Sequence, residues 1–266
     1  AQLSRGLGDV YKRQILKLMG KGEGALSVEG IFKKYSAPVL EDINFEVKAG
    51  ESVALVGANG AGKSTLIKII LSLVIPNSGQ VKIFGEVPVK SLAEGKVGYL
   101  PELPGYWPEL SARELLKFSA SLYKLDRENS SDRADKVFRV LGLGLRSHRR
   151  MSGYSKGMLQ RTGFAQTLLH DPDLLIFDEP MSGLDPRAQE KLSLLIKKLR
   201  ENGKSFLISS HSLDNVRAHC DRVVVLEQKK LVDQGAVEDV LKRLQERYQN
   251  EEPWDEDPFE DSHELF

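Results

Sequence analysis

The residues Gly57-Ala58-Asn59-Gly60-Ala61-Gly62-Lys63-Ser64-Thr65 fit the pattern G-x-x-x-x-G-K-[ST] at every fixed position. Glycines let a backbone turn tightly enough for successive N–H groups to face one set of anionic oxygens. A helix opening at the end of such a loop adds further N–H groups and the positive end of its dipole. Lys63 would bring a full charge to the β- and γ-phosphates of a nucleotide, and the Ser64 hydroxyl suits Mg2+. A second group lies further along, where Leu174-Leu175-Ile176-Phe177 runs into Asp178-Glu179. Ligands of open α/β sheets bind at the carboxyl ends of strands. There Asp178 is expected to hold Mg2+ through water, and Glu179 to orient or deprotonate an attacking water. Alone, the two acids read more often as a solvated strand end than as a site; the phosphate loop upstream gives them a task.

These residues need a scaffold of strands and helices. Ser52–Val56, Val97–Leu100, Leu174–Phe177, Ser205–Ser209 and Arg222–Leu226 are bunched apolar runs rather than alternating ones, as in strands buried on both faces of a parallel sheet. The phosphate loop stands between the first of them and a helix starting near Gly62. Ser111 and Glu114 have the spacing of a capping box opening a helix through about Tyr123. Asp185-Pro186 opens another through about Asn202, which Gly203 stops. Leu26–Phe32, Val39–Val47 and Gln80–Phe84 read as antiparallel strands. Residues 103 to about 170 carry helices and no convincing strand. The expected fold class is α/β: a P-loop NTPase core with a mainly parallel sheet, an N-terminal antiparallel β sub-domain and an inserted helical sub-domain.

Composition bounds the rest. A chain of 266 residues, 41% hydrophobic, supports one well-buried domain. Lys+Arg and Asp+Glu both number 38, so a bulk electrostatic footprint for nucleic acid is absent, although a local basic patch stays open. The single cysteine, Cys220, excludes an intrachain disulfide and reads as a small buried residue. The best apolar run, Leu66 to Ile75, is broken by Lys68 and Ser72 and stopped by Pro76, short of the ~18–20 residues that span a bilayer. No signal peptide is visible. Asp9-Val10-Tyr11-Lys12-Arg13-Gln14 looks like a translated library adaptor, so residues 1–18 are expected to be a non-native or disordered leader and Met19 the natural start. Residues 245–266 are expected to form an acidic, disordered tail: Glu251 to Phe266 lacks Lys and Arg and holds Pro253 and Pro258.

One more segment gives the motifs a common pattern. Tyr154-Ser155-Lys156-Gly157-Met158, followed by Leu159-Gln160-Arg161, precedes Asp178. From Leu26 to about Leu244 the sequence resembles the nucleotide-binding subunits of ABC transporters, whose signature LSGGQ falls here. Tyr154, Lys156 and Met158 depart from it; Ser155 and Gly157 remain. The resemblance implies that Ser155 and Gly157 close on the γ-phosphate held by a partner subunit. It implies ATP binding by Gly57, Asn59, Gly60, Gly62, Lys63, Ser64 and Thr65, with Tyr35 stacked on adenine. It gives Asp185, in Ser182-Gly183-Leu184-Asp185, a place in communication across a dimer, beside its role as a helix cap. His211 becomes the switch histidine at the γ-phosphate. Glu102 stands where the family usually carries a glutamine, at the hinge of the helical sub-domain; whether a carboxylate there also binds the metal is left open. ATP and Mg2+ are the implied cofactors, and ATP hydrolysis the implied activity. The implied partners are a second copy or paralogous ATPase subunit and an integral membrane permease, with no nucleic acid. The chain would sit on the cytoplasmic face of the membrane, docked through the surface around Leu103 to Leu125. The departures resemble cassettes of bacterial exporters. A non-transport ABC ATPase acting on a macromolecule is the alternative; many of those carry two cassettes or a coiled-coil insertion, neither of which is present. A kinase or GTPase with a P-loop would not require Ser155, Gly157 and His211 in this order.

Overall fold

The computed structural model describes residues 24–250. The expected leader at 1–18 and the acidic stretch 251–266 lie outside the described residues. Two sheets organise the chain. A three-stranded antiparallel sheet has the order β2-β1-β4, from β1 (Leu26–Lys34), β2 (Pro38–Val47) and β4 (Ser78–Ile83). A six-stranded sheet has the order β5-β6-β7-β3-β8-β9. Its members are β3 (Ser52–Val56), β5 (Val97–Leu100), β6 (Leu174–Phe177), β7 (Ser205–Ser209), β8 (Arg222–Glu227) and β9 (Lys230–Ala236). The first five strands of that order run parallel, and β9 pairs antiparallel with β8.

The bunched apolar runs follow from burial on both faces. Every residue of β3, β6 and β7 is buried. Alternate side chains point to opposite sides of a strand. Leu175 and Phe177 therefore join one core cluster, with Phe164 and Phe206, whereas Leu174 and Ile176 join another, with Leu55 and Ile67. Phe177 meets Phe164 and Phe206 edge-on, at centroid distances of 5.1 and 5.6 Å.

Helices cover the sheet. They are α1 (Lys63–Ile70), α2 (Pro88–Ala93), α3 (Ala112–Leu122), α4 (Arg127–Val140), α5 (Lys156–Leu168), α6 (Pro186–Glu201), α7 (Leu213–His219) and α8 (Val237–Asn250). The capping box opens α3: Ser111 Oγ accepts from Glu114 N at 3.2 Å, and the Glu114 carboxylate accepts from Ser111 N at 2.8 Å. Asp185 caps α6 by accepting from Ala188 N at 2.9 Å, and Gly203, at φ 81°, lets the chain turn away after it. Between β5 and β6 the described chain holds α3, α4, two short 3-10 turns and α5, with a lone bridge between Ser111 and Arg150 as its β pairing. This insertion shares the core's own cluster, since Leu116, Phe138 and Phe164 lie in it with Phe177. Its far end is pinned by Tyr123 stacked on His170 at 3.9 Å and by Arg133–Asp171 at 3.1 Å.

The C-terminal part departs from expectation. Residues 245–250, assigned to the acidic tail, continue α8. Val237, Val240, Leu241 and Leu244 give α8 one buried face against the core, and the helix runs on beyond them to Asn250. Cys220 is buried, and burial pushes its thiol up to about 12. Among the described residues, no helix is long and apolar enough to cross a membrane.

Candidate functional site

The phosphate loop leaves β3 at Gly57 and enters α1 at Lys63. Two of its glycines are walled in. A Cβ on Gly57 would stand 2.2 Å from the Leu226 carbonyl oxygen at the end of β8. A Cβ on Gly62, at φ 105°, would meet Leu40 Cδ2 at 2.6 Å and the Val39 carbonyl at 2.9 Å. The loop is thus clamped between β8 and β2, and any side chain there would displace backbone. Gly60 instead faces open space, and Asn59 and Ser64 are exposed with Thr65 half-buried. The Lys63 ammonium curls inside the loop and donates to the carbonyls of Gly57 and of Ala58, the latter at 3.1 Å. No side chain caps α1, and its first turn holds no acid.

Asp178 and Glu179 follow β6, one strand beyond β7 as seen from β3. Ser209, the last residue of β7, lies between the two strand ends. Its hydroxyl donates to Asp178 Oδ1 at 2.6 Å and accepts the Glu179 backbone N–H at 2.9 Å. Asp178 is buried, and its own N–H is taken by the Leu100 carbonyl at 2.9 Å. Glu179 sits at φ 46°, a left-handed conformation costly for a residue with a side chain. Its Oε2 lies 3.0 Å from Nδ1 of His211, which follows β7. Burial raises the Glu179 pKa above the usual carboxylate range; His211 and Lys63 pull it down, and the Asp178 charge pushes it up. Tyr99, on β5, is pushed up to about 12 by burial, with Asp178 and Glu102 adding to the rise. Sequence reading had no place for Ser209. Its signal is a hydroxyl ending an otherwise apolar strand, but its role depends on β7 lying beside β6.

A second cluster forms elsewhere. Ser155 caps α5 by accepting from Met158 N at 3.3 Å. Gly157 has Leu184 Cδ2 at 3.7 Å from its would-be Cβ, an ordinary contact. The Lys156 side chain lies over Gly183, whose would-be Cβ falls 2.5 Å from the Lys156 ammonium. Ser155, Gly157 and the Ser182–Asp185 loop therefore stand together. Tyr35 is apart from both clusters, 58% exposed on the β1–β2 turn, with the Lys33 ammonium 4.9 Å from its ring centroid. Glu102 is exposed just after β5, next in sequence to Pro101, which lines a small cleft. Tyr99, Pro101, Tyr106, Gly163 and Thr167 line that cleft, between core and helical insertion.

The donor set suits a small hard cation. Ser64 and Asp178 offer oxygen, and among the described residues no three of His, Cys, Asp and Glu gather into a cage. Mg2+ binds in this way, through one or two protein oxygens completed by phosphate and water.

Comparison with known proteins supplies the family. The model described as ABC transporter matches residues 40–182, from β2 to just past the two acids. The chain belongs to the ABC transporter family. It is 34% identical over 221 residues to an uncharacterised ABC transporter ATP-binding protein, YxlF, of Bacillus subtilis, covering 83% of this chain and 74% of that one. It is 35% identical over 222 residues to the linearmycin resistance ATP-binding protein LnrL of the same species, covering 82% and 71%. A solved ATP-binding subunit of an ABC transporter superposes with a TM-score of 0.75 at 33% identity, covering 83% of this chain and 93% of that one. The ABC relatives are ATP-binding subunits, and the α/β fold with its parallel and antiparallel sheets is theirs.

Proposed function

We propose that this ABC subunit binds and hydrolyses ATP to drive export through a separate membrane-spanning partner. The observation that carries the reading is the convergence of Lys63, Asp178, Glu179 and His211 on the ends of β3, β6 and β7. Backbone N–H groups from Gly57 to Thr65 cradle the phosphates, with Asn59, Gly60 and Thr65 at the loop's open side. Lys63 exchanges its carbonyl partners for β- and γ-phosphate oxygens. The Ser64 hydroxyl and the Asp178 carboxylate would hold Mg2+, which neutralises phosphate charge when bound. Ser209 keeps Asp178 and Glu179 in register. Glu179 accepts a proton from the attacking water, and His211 positions that carboxylate and reaches toward the γ-phosphate. A carboxylate with a raised pKa is a better base at neutral pH than an ordinary one.

Tyr35 stacks on adenine. Ser155 and Gly157 complete the γ-phosphate contacts of a second subunit, and Asp185, one loop away, links the two sites. A two-fold pair of such surfaces would hold two nucleotides between the same two interfaces. Glu102 marks the hinge of the helical insertion. Leu103, Trp107, Phe118 and Leu122, all exposed, offer the permease an apolar face on the cytoplasmic side of the membrane. Export is supported by the resistance role in the name of the LnrL relative.

The test is the mass in solution of Glu179→Gln with and without Mg-ATP. Dimer formation only with ATP is the expected result. A monomer that binds ATP yet never pairs overturns the assignment of Ser155 and Gly157.

A further inference from the structure

Charge in this chain is balanced overall but not locally. No Asp or Glu stands between Asp135 and Asp171. That stretch carries Lys136, Arg139, Arg146, Arg149, Arg150 and Lys156, all exposed. Elsewhere arginines meet carboxylates, as in Arg133–Asp171, Arg217–Glu238, Arg222–Glu51 and Arg243–Asp233. Among the described residues none of the six basic side chains has a carboxylate at ion-pair distance. Glu114, the acid that Arg150 influences, is already engaged by Ser111. The surface is also partly apolar, with Val140 58% and Leu145 92% exposed.

The basic surface is continuous with the Ser155–Gly157 segment. Tyr154 Oη donates to the Arg146 carbonyl at 2.6 Å. Arg161 donates to the Gly157 carbonyl at 3.0 Å and to the Leu141 carbonyl at 3.3 Å, tying the loop after α4 to the start of α5. Lys156 itself lies next to Ser155.

The matching charge is in this same chain. Of the sixteen residues 251–266, eight are Asp or Glu and none is Lys or Arg, and Trp254, Phe259 and Phe266 are spaced among them. An acidic, aromatic segment complements a basic surface carrying Val140 and Leu145. The segment follows α8, which packs on β8 and β9, at the other end of the six-stranded sheet from β5 and β6. Sixteen extended residues reach about 50 Å. A domain of this size has a radius of gyration of about 17 Å, so the distance is within reach.

We propose that residues 251–266 dock on the basic surface of their own chain, from Lys136 to Lys156, and so cover the Ser155–Gly157 segment until a second subunit displaces them. The docking stands independently of the transport reading; its effect on subunit pairing rests on it. Docked carboxylates would occupy the approach by which Ser155 and Gly157 meet the partner's nucleotide.

Trp254 reports the docking directly. The chain has two tryptophans, so Trp107→Phe in the full-length protein leaves Trp254 alone. At low salt its emission is expected to be blue-shifted and shielded from acrylamide. In 1 M NaCl, where the Debye length is about 3 Å, the quenching constant should rise about twofold. Arg149→Glu with Arg150→Glu should give that rise at low salt. So should Asp255→Asn with Glu256→Gln and Asp257→Asn, which leaves every core residue intact. Equal quenching at low and high salt overturns the proposal. Shielding that grows with protein concentration makes a neighbouring copy's tail the occupant and also overturns it. Shielding that arises only with phosphatidylglycerol vesicles assigns the surface to lipid. In the Glu179→Gln background, the tail variant should pair at lower Mg-ATP than its parent. An unchanged ATP requirement with Trp254 released removes the covering role, whereas failure of both to pair removes the dimer reading instead.

Discussion

Helices α1 and α5 both open on glycine and a hydroxyl, yet their surroundings differ. The glycines before α1 are pressed against backbone on two sides, by Leu226 and by Val39. The glycine of α5 meets only the tip of Leu184, and Lys156 beside it is exposed. The first end is finished within one chain. The second presents a cap and a glycine to the outside, as a surface that awaits a counterpart would. On the proposed reading, tightness separates the loop that would hold phosphate alone from the segment that would act on another subunit.

The largest test of that contrast is chemical. Glu179→Gln is expected to lower ATP turnover by ~10²–10⁴-fold while ATP binding, followed by nucleotide fluorescence, persists. Next come the glycines. Gly57→Ala forces a Cβ into the Leu226 carbonyl and should cost about 1–3 kcal/mol in denaturant unfolding, with loss of ATP binding. Ser209→Ala leaves the Glu179 N–H and one Asp178 oxygen without their partner, at a similar cost of about 1–3 kcal/mol, and should slow turnover more than it weakens binding. Gly157→Ala should do the reverse of Gly57→Ala. The new Cβ meets ordinary contact, and a helical Gly→Ala change gains up to about 0.5–1 kcal/mol, yet ATP-dependent pairing should weaken. Equal destabilisation by the two glycine changes would erase the contrast.

The smallest effect is on pH. Burial raises the Glu179 pKa, so the ionised base is present above that pKa and lost as pH falls through it. Turnover should fall on the acid side at a higher pH than an ordinary carboxylate would give. Since His211 lowers the Glu179 pKa, His211→Ala should move this limb of the pH–rate profile further up.

How much of this was legible depends on where each property resides. Strands β3, β5, β6 and β7 are read from the sequence to the residue, because burial on both faces leaves unbroken apolar runs. The caps of α3 and α6 are equally local. Strand β9 escaped: it is a half-exposed edge with Lys230, Asp233, Gln234 and Gly235, and its pairing with β8 holds it in place. The boundary set at 245 failed because the acidic composition beyond it obscured the amphipathic register of α8. In the site, the phosphate loop and the two acids announce themselves by spacing. Ser209 could not, since its position between them comes from the strand order β6-β7-β3. The Lys156–Gly183 contact is likewise tertiary.

The burial of Cys220 has a practical consequence. A thiol pushed up to about 12 and shut away from solvent is almost wholly protonated at neutral pH and reacts slowly with maleimides. Since it is the only cysteine, cysteines introduced on the two helix ends can be labelled selectively with Cys220 left in place. Inter-probe distances could then follow the proposed approach of one subunit to another when ATP is added, in an otherwise native core.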